Sequence, residues 1–216
     1  MYCVVTAGPT YEPLDEVRRL TNFSTGRLGS ELANFLTERG HQVTLLIGEQ
    51  ATYRGELRAS KIVNFTTTDN LRDQLQALSR GKVDAVFHAA AVSDFTFGKV
   101  WARSATGEMT EITSGKISTR QGTLMAELAP TMKIISALRD WYPKSLLVGW
   151  KYEVEGNHAG VIALAERQVA ECHTNACVAN GRGYGPGFGL VTGPDKCRHL
   201  PDAAALFPAL EQLPHK

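Results

Sequence analysis

The stretch 6–29, TAGPTYEPLDEVRRLTNFSTGRLG, gathers Arg18, Asn22, Ser24, Thr25, Gly26 and Arg27 in one short span. It follows an apolar run, Tyr2–Val5, and leads into a helical pattern: Leu28, Leu32, Phe35 and Leu36 share a face, and Gly40 ends it. A helix that opens at Ser24-Thr25-Gly26 after a polar loop is a way to hold an anion. Hydroxyls and unpaired backbone N–H groups point outward, the helix dipole favours negative charge, and a glycine lets the ligand approach the backbone. Arg18 and Arg27 add charge and can grip a carboxylate or phosphate with two hydrogen bonds. The plain alternative is a solvated loop with ordinary capping by Ser24 or Thr25, since the spacing is neither GxGxxG nor GxxxxGK[ST].

Three further stretches stand out: Ala89-Ala90-Ala91-Val92-Ser93-Asp94-Phe95, Gly115-Lys116-Ile117, and Val148-Gly149-Trp150-Lys151-Tyr152-Glu153. With the first loop, and in this order, they closely resemble the phosphopantothenoylcysteine synthetase family. These ligases join 4'-phosphopantothenate to cysteine on the way to coenzyme A. The resemblance implies a two-step amide synthesis. The carboxylate attacks the α-phosphate of CTP or ATP, pyrophosphate leaves, and the cysteine amine then displaces the nucleotide. Such chemistry demands alignment, charge neutralisation and support for an oxyanion, with no protein nucleophile.

Residue by residue, the resemblance implies that Asn22 stabilises the acyl-nucleotide or the oxyanion, worth about 3–4 kcal/mol. Arg18 would orient the substrate, and Lys116 would neutralise phosphate charge from a flap. Gly8, Ser24, Thr25 and Gly26 would line the phosphate site, and Ala89, Ala90 and Ala91 would offer backbone groups to the base. Asp94 would accept from ribose or base, and Trp150 would stand beside the nucleotide. Each has a bland counterpart: a turn asparagine, a surface arginine or lysine, a capping aspartate, a core tryptophan. Mg²⁺ is implied by the nucleotide chemistry and not by a ligand motif.

The chain also departs from the family. Two lysines that contact the triphosphate in bacterial members fall at Gln168 and Cys172 here, and neither can replace a cation. Lys116-Ile117-Ser118-Thr119 stands where bacterial members read KIKK. The segments Asn22–Arg27, Ala89–Phe95 and Asp140–Lys144 look more like the eukaryotic branch. The bacterial type prefers CTP and the eukaryotic type accepts ATP, so the nucleotide stays open.

The elements that must position these residues alternate. Strand patterns cover Tyr2–Thr6, Gln42–Ile47, Lys61–Phe65, Val83–Ala90, Ser145–Trp150 and Asn175–Ala179. Helices are expected over Gly26–Arg39, from an Asp69 cap to about Leu78, over much of Leu124–Trp141, over Ala159–Cys172 and from Asp202 to about Leu213. Phe188–Thr192 and Lys196–Leu200 flank Gly193-Pro194-Asp195 as a hairpin. The order predicts an α/β, Rossmann-like, doubly wound and mainly parallel sheet with a terminal antiparallel hairpin, one domain over 1–216. Ligands of such sheets sit beyond the carboxyl ends of the strands where the order reverses. Phe97–Ile117 interrupts the alternation and reads as a flap over the site.

Composition excludes other classes. A net charge of +1 gives no case for nucleic acid or an acidic membrane. No apolar run reaches the roughly 18 residues of a membrane span. The four cysteines form no CxxC pair and the histidines no HxxxH pair, so no metal site is read from them. They read as reduced thiols of a cytoplasmic protein. The resemblance further implies a homodimer and a separate decarboxylase, because the chain leaves no room for the flavin domain often fused to bacterial ligases. An NAD(P)-type oxidoreductase and a non-catalytic nucleotide-binding paralogue remain as alternatives. The first lacks GxGxxG and a clear acidic residue closing the second strand, where Glu49 is the only candidate.

Overall fold

A computed structural model describes residues 1–113, 115–118 and 122–214. Its main sheet is built from runs apolar on both faces, as a covered parallel sheet requires. Strand β1 (Tyr2–Ala7) lies in the centre, paired in parallel with β4 (Gln42–Gly48) on one side and β6 (Ala85–His88) on the other. Beyond β4 lies β5 (Lys61–Phe65); beyond β6 lie β10 (Leu146–Tyr152) and β11 (Ala176–Asn180). Read along the chain, these parallel strands have the order 3-2-1-4-5-6 of a doubly wound nucleotide fold. The antiparallel pair β12 (Phe188–Val191) and β13 (Cys197–Leu200) completes the edge, as the hairpin pattern predicts.

Alternation along the strands sorts the helices to two faces. Cys3, Val5, Phe87 and Val148 pack with Leu32, Ala33 and Leu36 of α1 (Arg27–Glu38) and with Leu206 and Leu210 of α5 (Ala203–Glu211). Val4, Val86 and Leu147 face the other way, against Leu71 and Leu75 of α2 (Thr68–Ser79) and Ile134 and Leu138 of α3 (Ile134–Trp141). Val161 and Ala165 of α4 (His158–Glu171) cover Cys177 and Ala179. Asp202 and Asn157 cap α5 and α4 by accepting from Ala205 N and Gly160 N. The cap of α2 is Thr67, accepting from Asn70 N, and not Asp69; Asp69 sits in the first turn and pairs with Arg72 at 2.6 Å.

Two small sheets hang from the carboxyl edge. The first loop is a ribbon rather than an irregular loop, β2 (Tyr11–Pro13) against β3 (Arg19–Thr21). The flap is a three-stranded antiparallel sheet of β7 (Phe95–Arg103), β8 (Met109–Glu111) and β9 (Thr123–Pro130). It starts earlier and ends later than the expected 97–117, and Ser114 within that span lies outside the described residues. The helix expected over Leu124–Trp141 is corrected accordingly: only Ile134–Trp141 is helical. The segment 123–129 holds good helix formers, but pairing overrides propensity. Leu128, Ala126 and Leu124 lie opposite Phe97, Val100 and Ala102, giving the flap one apolar face.

Candidate active site

The loop after β1 is shaped by glycines. Gly8 has φ of 80° and Gly26, the residue before α1, has φ of 78°, both in the left-handed region. A methyl on Gly26 would meet Ala51 Cβ at 3.0 Å and Gly8 N and Cα at 3.3 Å. One on Gly29 would meet Ala7 Cβ at 2.7 Å, so α1 lies directly on the end of β1. Neither Ser24 nor Thr25 caps α1 in the ordinary way; Thr25 Oγ1 accepts from Arg27 N at 3.2 Å, and Gly26 makes no side-chain cap.

The first loop and the Ala89–Phe95 loop are knit together past the strand ends. Ala89 N donates to Thr6 O at 3.2 Å, Ala90 N to Thr6 Oγ1 at 3.0 Å and Ala91 N to Gly8 O at 3.0 Å. Thr10 N returns a bond to Ala91 O at 3.1 Å, and the buried Thr10 hydroxyl accepts from Ser93 N at 2.8 Å. All three alanine N–H groups and the Ala91 carbonyl are therefore spent within the protein, which leaves the Ala89 and Ala90 carbonyls and the small side chains for a ligand. Asn22 joins the same seam, its Nδ2 donating to Ala91 O at 3.2 Å and Val92 O at 3.4 Å. Phe23 beside it is fully exposed.

Because β1 and β6 stay joined, the open cleft lies one strand further along, at the carboxyl ends of β6 and β10. It has a volume of about 200 Å³. Asp94, Ala90 and Val92 line it from one side, Trp150 and Lys151 from β10, Lys133 at the start of α3, and Gln168 from α4. Trp150 also packs against the main core, and among the described residues its buried Nε1 has no hydrogen-bond partner. Gln168 lies over Gly149, where a methyl would come within 2.2 Å of its Nε2, and it donates to Cys177 Sγ at 3.2 Å. Cys172 is buried against Ser136 at 3.5 Å. The two positions that depart from the family thus carry neutral, packed side chains.

His88 closes the floor of this cleft and is a residue that the motifs did not single out. It is buried, with Nδ1 3.0 Å from Thr6 Oγ1. The same Thr6 oxygen accepts from Ala90 N, so one hydroxyl ties the imidazole to the Ala89–Phe95 loop. Burial pushes the imidazole down to about 4, so it is neutral at pH 7. The available signal was its place, at the last position of an apolar strand just before Ala89.

Arg18 meets the segment that carries Lys116, at the backbone of Ile117. Arg18 Nη2 donates to Asp15 Oδ2 and to Ile117 O, each at 2.6 Å. Asp15 Oδ2 also accepts from Ile117 N at 3.2 Å, and Glu16 N donates to Gly115 O at 2.9 Å. Burial alone would raise the Asp15 carboxyl, but the N–H groups of Val17, Ile117 and Arg18 and the guanidinium outweigh it and hold the group well below the usual range. Much of Arg18 is thus engaged inside the protein, and the exposed Lys116 is carried on a segment docked to the ribbon. Among the described residues no cluster of three or more His, Cys, Asp or Glu side chains could cage a metal. No helix among them is long and apolar enough to cross a membrane.

A glycine-walled loop, a small polar cleft and a 3-2-1-4-5-6 sheet define an α/β domain of the nucleotide-binding type. The chain belongs to the DNA/pantothenate metabolism flavoprotein C-terminal domain family, whose model matches residues 1–193. It is 32% identical over 181 residues to the coenzyme A biosynthesis bifunctional protein CoaBC of Thermococcus kodakarensis, covering 82% of this chain and 40% of that protein. It is 30% identical over 192 residues to the CoaBC of Bacillus subtilis, covering 88% of this chain and 44% of that protein. The chain thus spans less than half the length of these relatives. The crystal structure of the DNA/pantothenate metabolism flavoprotein from Streptococcus pneumoniae has the same fold. It matches with a TM-score of 0.84 at 23% identity, covering 98% of this chain and 97% of that one.

Proposed function

We propose that the chain is a phosphopantothenate–cysteine ligase that forms an acyl-nucleotide, releases pyrophosphate and passes the acyl group to cysteine in coenzyme A biosynthesis. The observation that carries this reading is the seam joining Asn22 to the Ala89–Asp94 loop: it brings an amide side chain and the nucleotide-type cleft to one edge of the sheet. In this reading CTP or ATP lies along that edge, its phosphates toward Ser24, Thr25, Gly26 and Gly8. Asp94, the Ala89 and Ala90 carbonyls, the Ala91 side chain and Trp150 hold the base and ribose. Asn22 stands where the tetrahedral oxyanion forms, Arg18 and Lys116 supply positive charge, and Mg²⁺ arrives with the nucleotide and offsets phosphate charge.

Residues 1–216 act as one ligase unit, working with a decarboxylase of the same pathway, in the cytoplasm. A homodimer is supported by the apolar flap face, where Phe95 and Leu128 are 44% and 48% exposed. The test is pyrophosphate release with 4'-phosphopantothenate, cysteine and Mg²⁺, run with CTP and with ATP. Release that requires the acid and collapses in Asn22→Ala supports the ligase and names its nucleotide. No release with either, from folded protein, refutes it.

A further inference from the structure

We propose that Asp15 is the positioning residue that clasps residues 115–118, between β8 and β9 of the flap, to the first loop, and thereby sets where Lys116 stands. The functional half of this inference rests on the ligase reading; the clasp itself does not.

The two carboxylate oxygens of Asp15 do different work. Oδ1 accepts from Val17 N at 2.9 Å and Arg18 N at 2.7 Å, an ordinary local turn. Oδ2 reaches across the sequence to Ile117 N at 3.2 Å while taking Nε and Nη2 of Arg18 at 3.1 and 2.6 Å. Arg18 closes the ring by donating from Nη2 to Ile117 O. Both backbone groups of Ile117 are thus held by one ion pair, and its side chain is 4% exposed. The Asp15 side chain is 2% exposed, so the charge is spent on these partners and not on water. A second backbone bond, Glu16 N to Gly115 O, fixes the register one step earlier.

Asp15→Asn separates the two roles. An amide has one acceptor oxygen, which can keep the local turn or bridge to Ile117 but cannot do both, and it cannot neutralise Arg18. The ribbon survives and the clasp opens.

Three measurements test this. In the unmodified protein, exchange of the Ile117 amide should be slow for a residue next to an exposed lysine. Trypsin cleavage after Lys116 should be slow too, and should rise about tenfold or more in Asp15→Asn, the scale of losing charge-assisted hydrogen bonds. In the ligase assay, Asp15→Asn and Lys116→Ala should each raise the nucleotide KM, and the double variant should do no worse than Lys116→Ala alone. Fast exchange at Ile117, unchanged cleavage in a folded Asp15→Asn, or KM effects that multiply would each overturn the proposal. Exchange needs no variant, so it tests the clasp even if Asp15→Asn misfolds. If the unmodified protein shows no ligase activity, that reading falls while exchange and cleavage still judge the clasp.

Discussion

Gly26→Ala tests whether the loop after β1 depends on a backbone state that only glycine adopts cheaply. Gly26 has φ of 78° and ψ of 0°, which costs an alanine about 1–2 kcal/mol. Its new methyl would stand 3.0 Å from Ala51 Cβ and 3.3 Å from two backbone atoms of Gly8, inside the distance at which carbon contacts are comfortable. Crowding of this kind adds about 1 kcal/mol. The total of about 2–3 kcal/mol corresponds to a fall in Tm of roughly 4–12 °C for a chain of this size. Calorimetry and urea titration read it directly. Adding Ala51→Gly, corrected for its own effect, should recover only the share due to the Ala51 contact. The backbone cost and the Gly8 contact should remain. A Gly26→Ala protein within about 0.5 kcal/mol of the parent, or one fully restored by Ala51→Gly, would refute the claim that the left-handed turn is required.

Further outcomes follow from single side chains. The neutral, buried His88 titrates near 4 while the unfolded ring titrates near 6.5, so the unfolded state binds the extra proton between them; stability should fall by up to roughly 3 kcal/mol as pH drops through that window. Urea titrations at pH 7 and pH 4.5 should show the difference shrinking in His88→Leu. Asn22→Ala should leave Tm nearly unchanged, because the side chain is exposed, while pyrophosphate release falls by about 10²–10³. Gly149→Ala should cost little stability, since the methyl meets only side-chain ends, Gln168 Nε2 at 2.2 Å and Ile135 Cδ1 at 3.1 Å; displacing the Gln168 tip into the cleft should shift the nucleotide KM. Asp202→Ala removes the cap that accepts from Ala205 N and should cost about 1 kcal/mol in the same titration.

The parallel strands were legible because their apolar runs are short, bounded by glycines or polar loops, and spaced by helical periods. Lys61–Phe65 was matched to the residue. The flap was the least legible part. Thr123–Pro130 carries Leu, Met, Ala and Glu, and nothing local says that β7 lies alongside; its strand state is a tertiary fact. The site divides in the same way. The residues that the motifs named, Asn22, Asp94 and Trp150, do lie on one edge of the sheet. Those that organise them, Thr6, Thr10, Asp15 and His88, act through bonds spanning up to 102 residues of sequence, which spacing cannot reveal. The glycine-rich run 181–187 likewise takes its form from distant contacts. The structure makes it a tight turn, since methyls on Gly181 and Gly183 would strike the carbonyl oxygens of Glu153 and Glu155 at 2.4 and 2.3 Å.

The burial of the cysteines has a consequence for redox behaviour. Cys3 and Cys177 are sealed in central strands, and desolvation pushes their thiols up to about 11 and about 12. At neutral pH such thiols are ionised to about one part in 10⁴ or less, and disulfide exchange proceeds through the thiolate. On the proposed ligase reading, the disulfide form of the cysteine substrate would otherwise exchange with such thiols, releasing cysteine and leaving a mixed disulfide. Here the sheet insulates these two sulfurs from that traffic. Of the four, Cys197 is the more accessible, and desolvation raises its thiol as well.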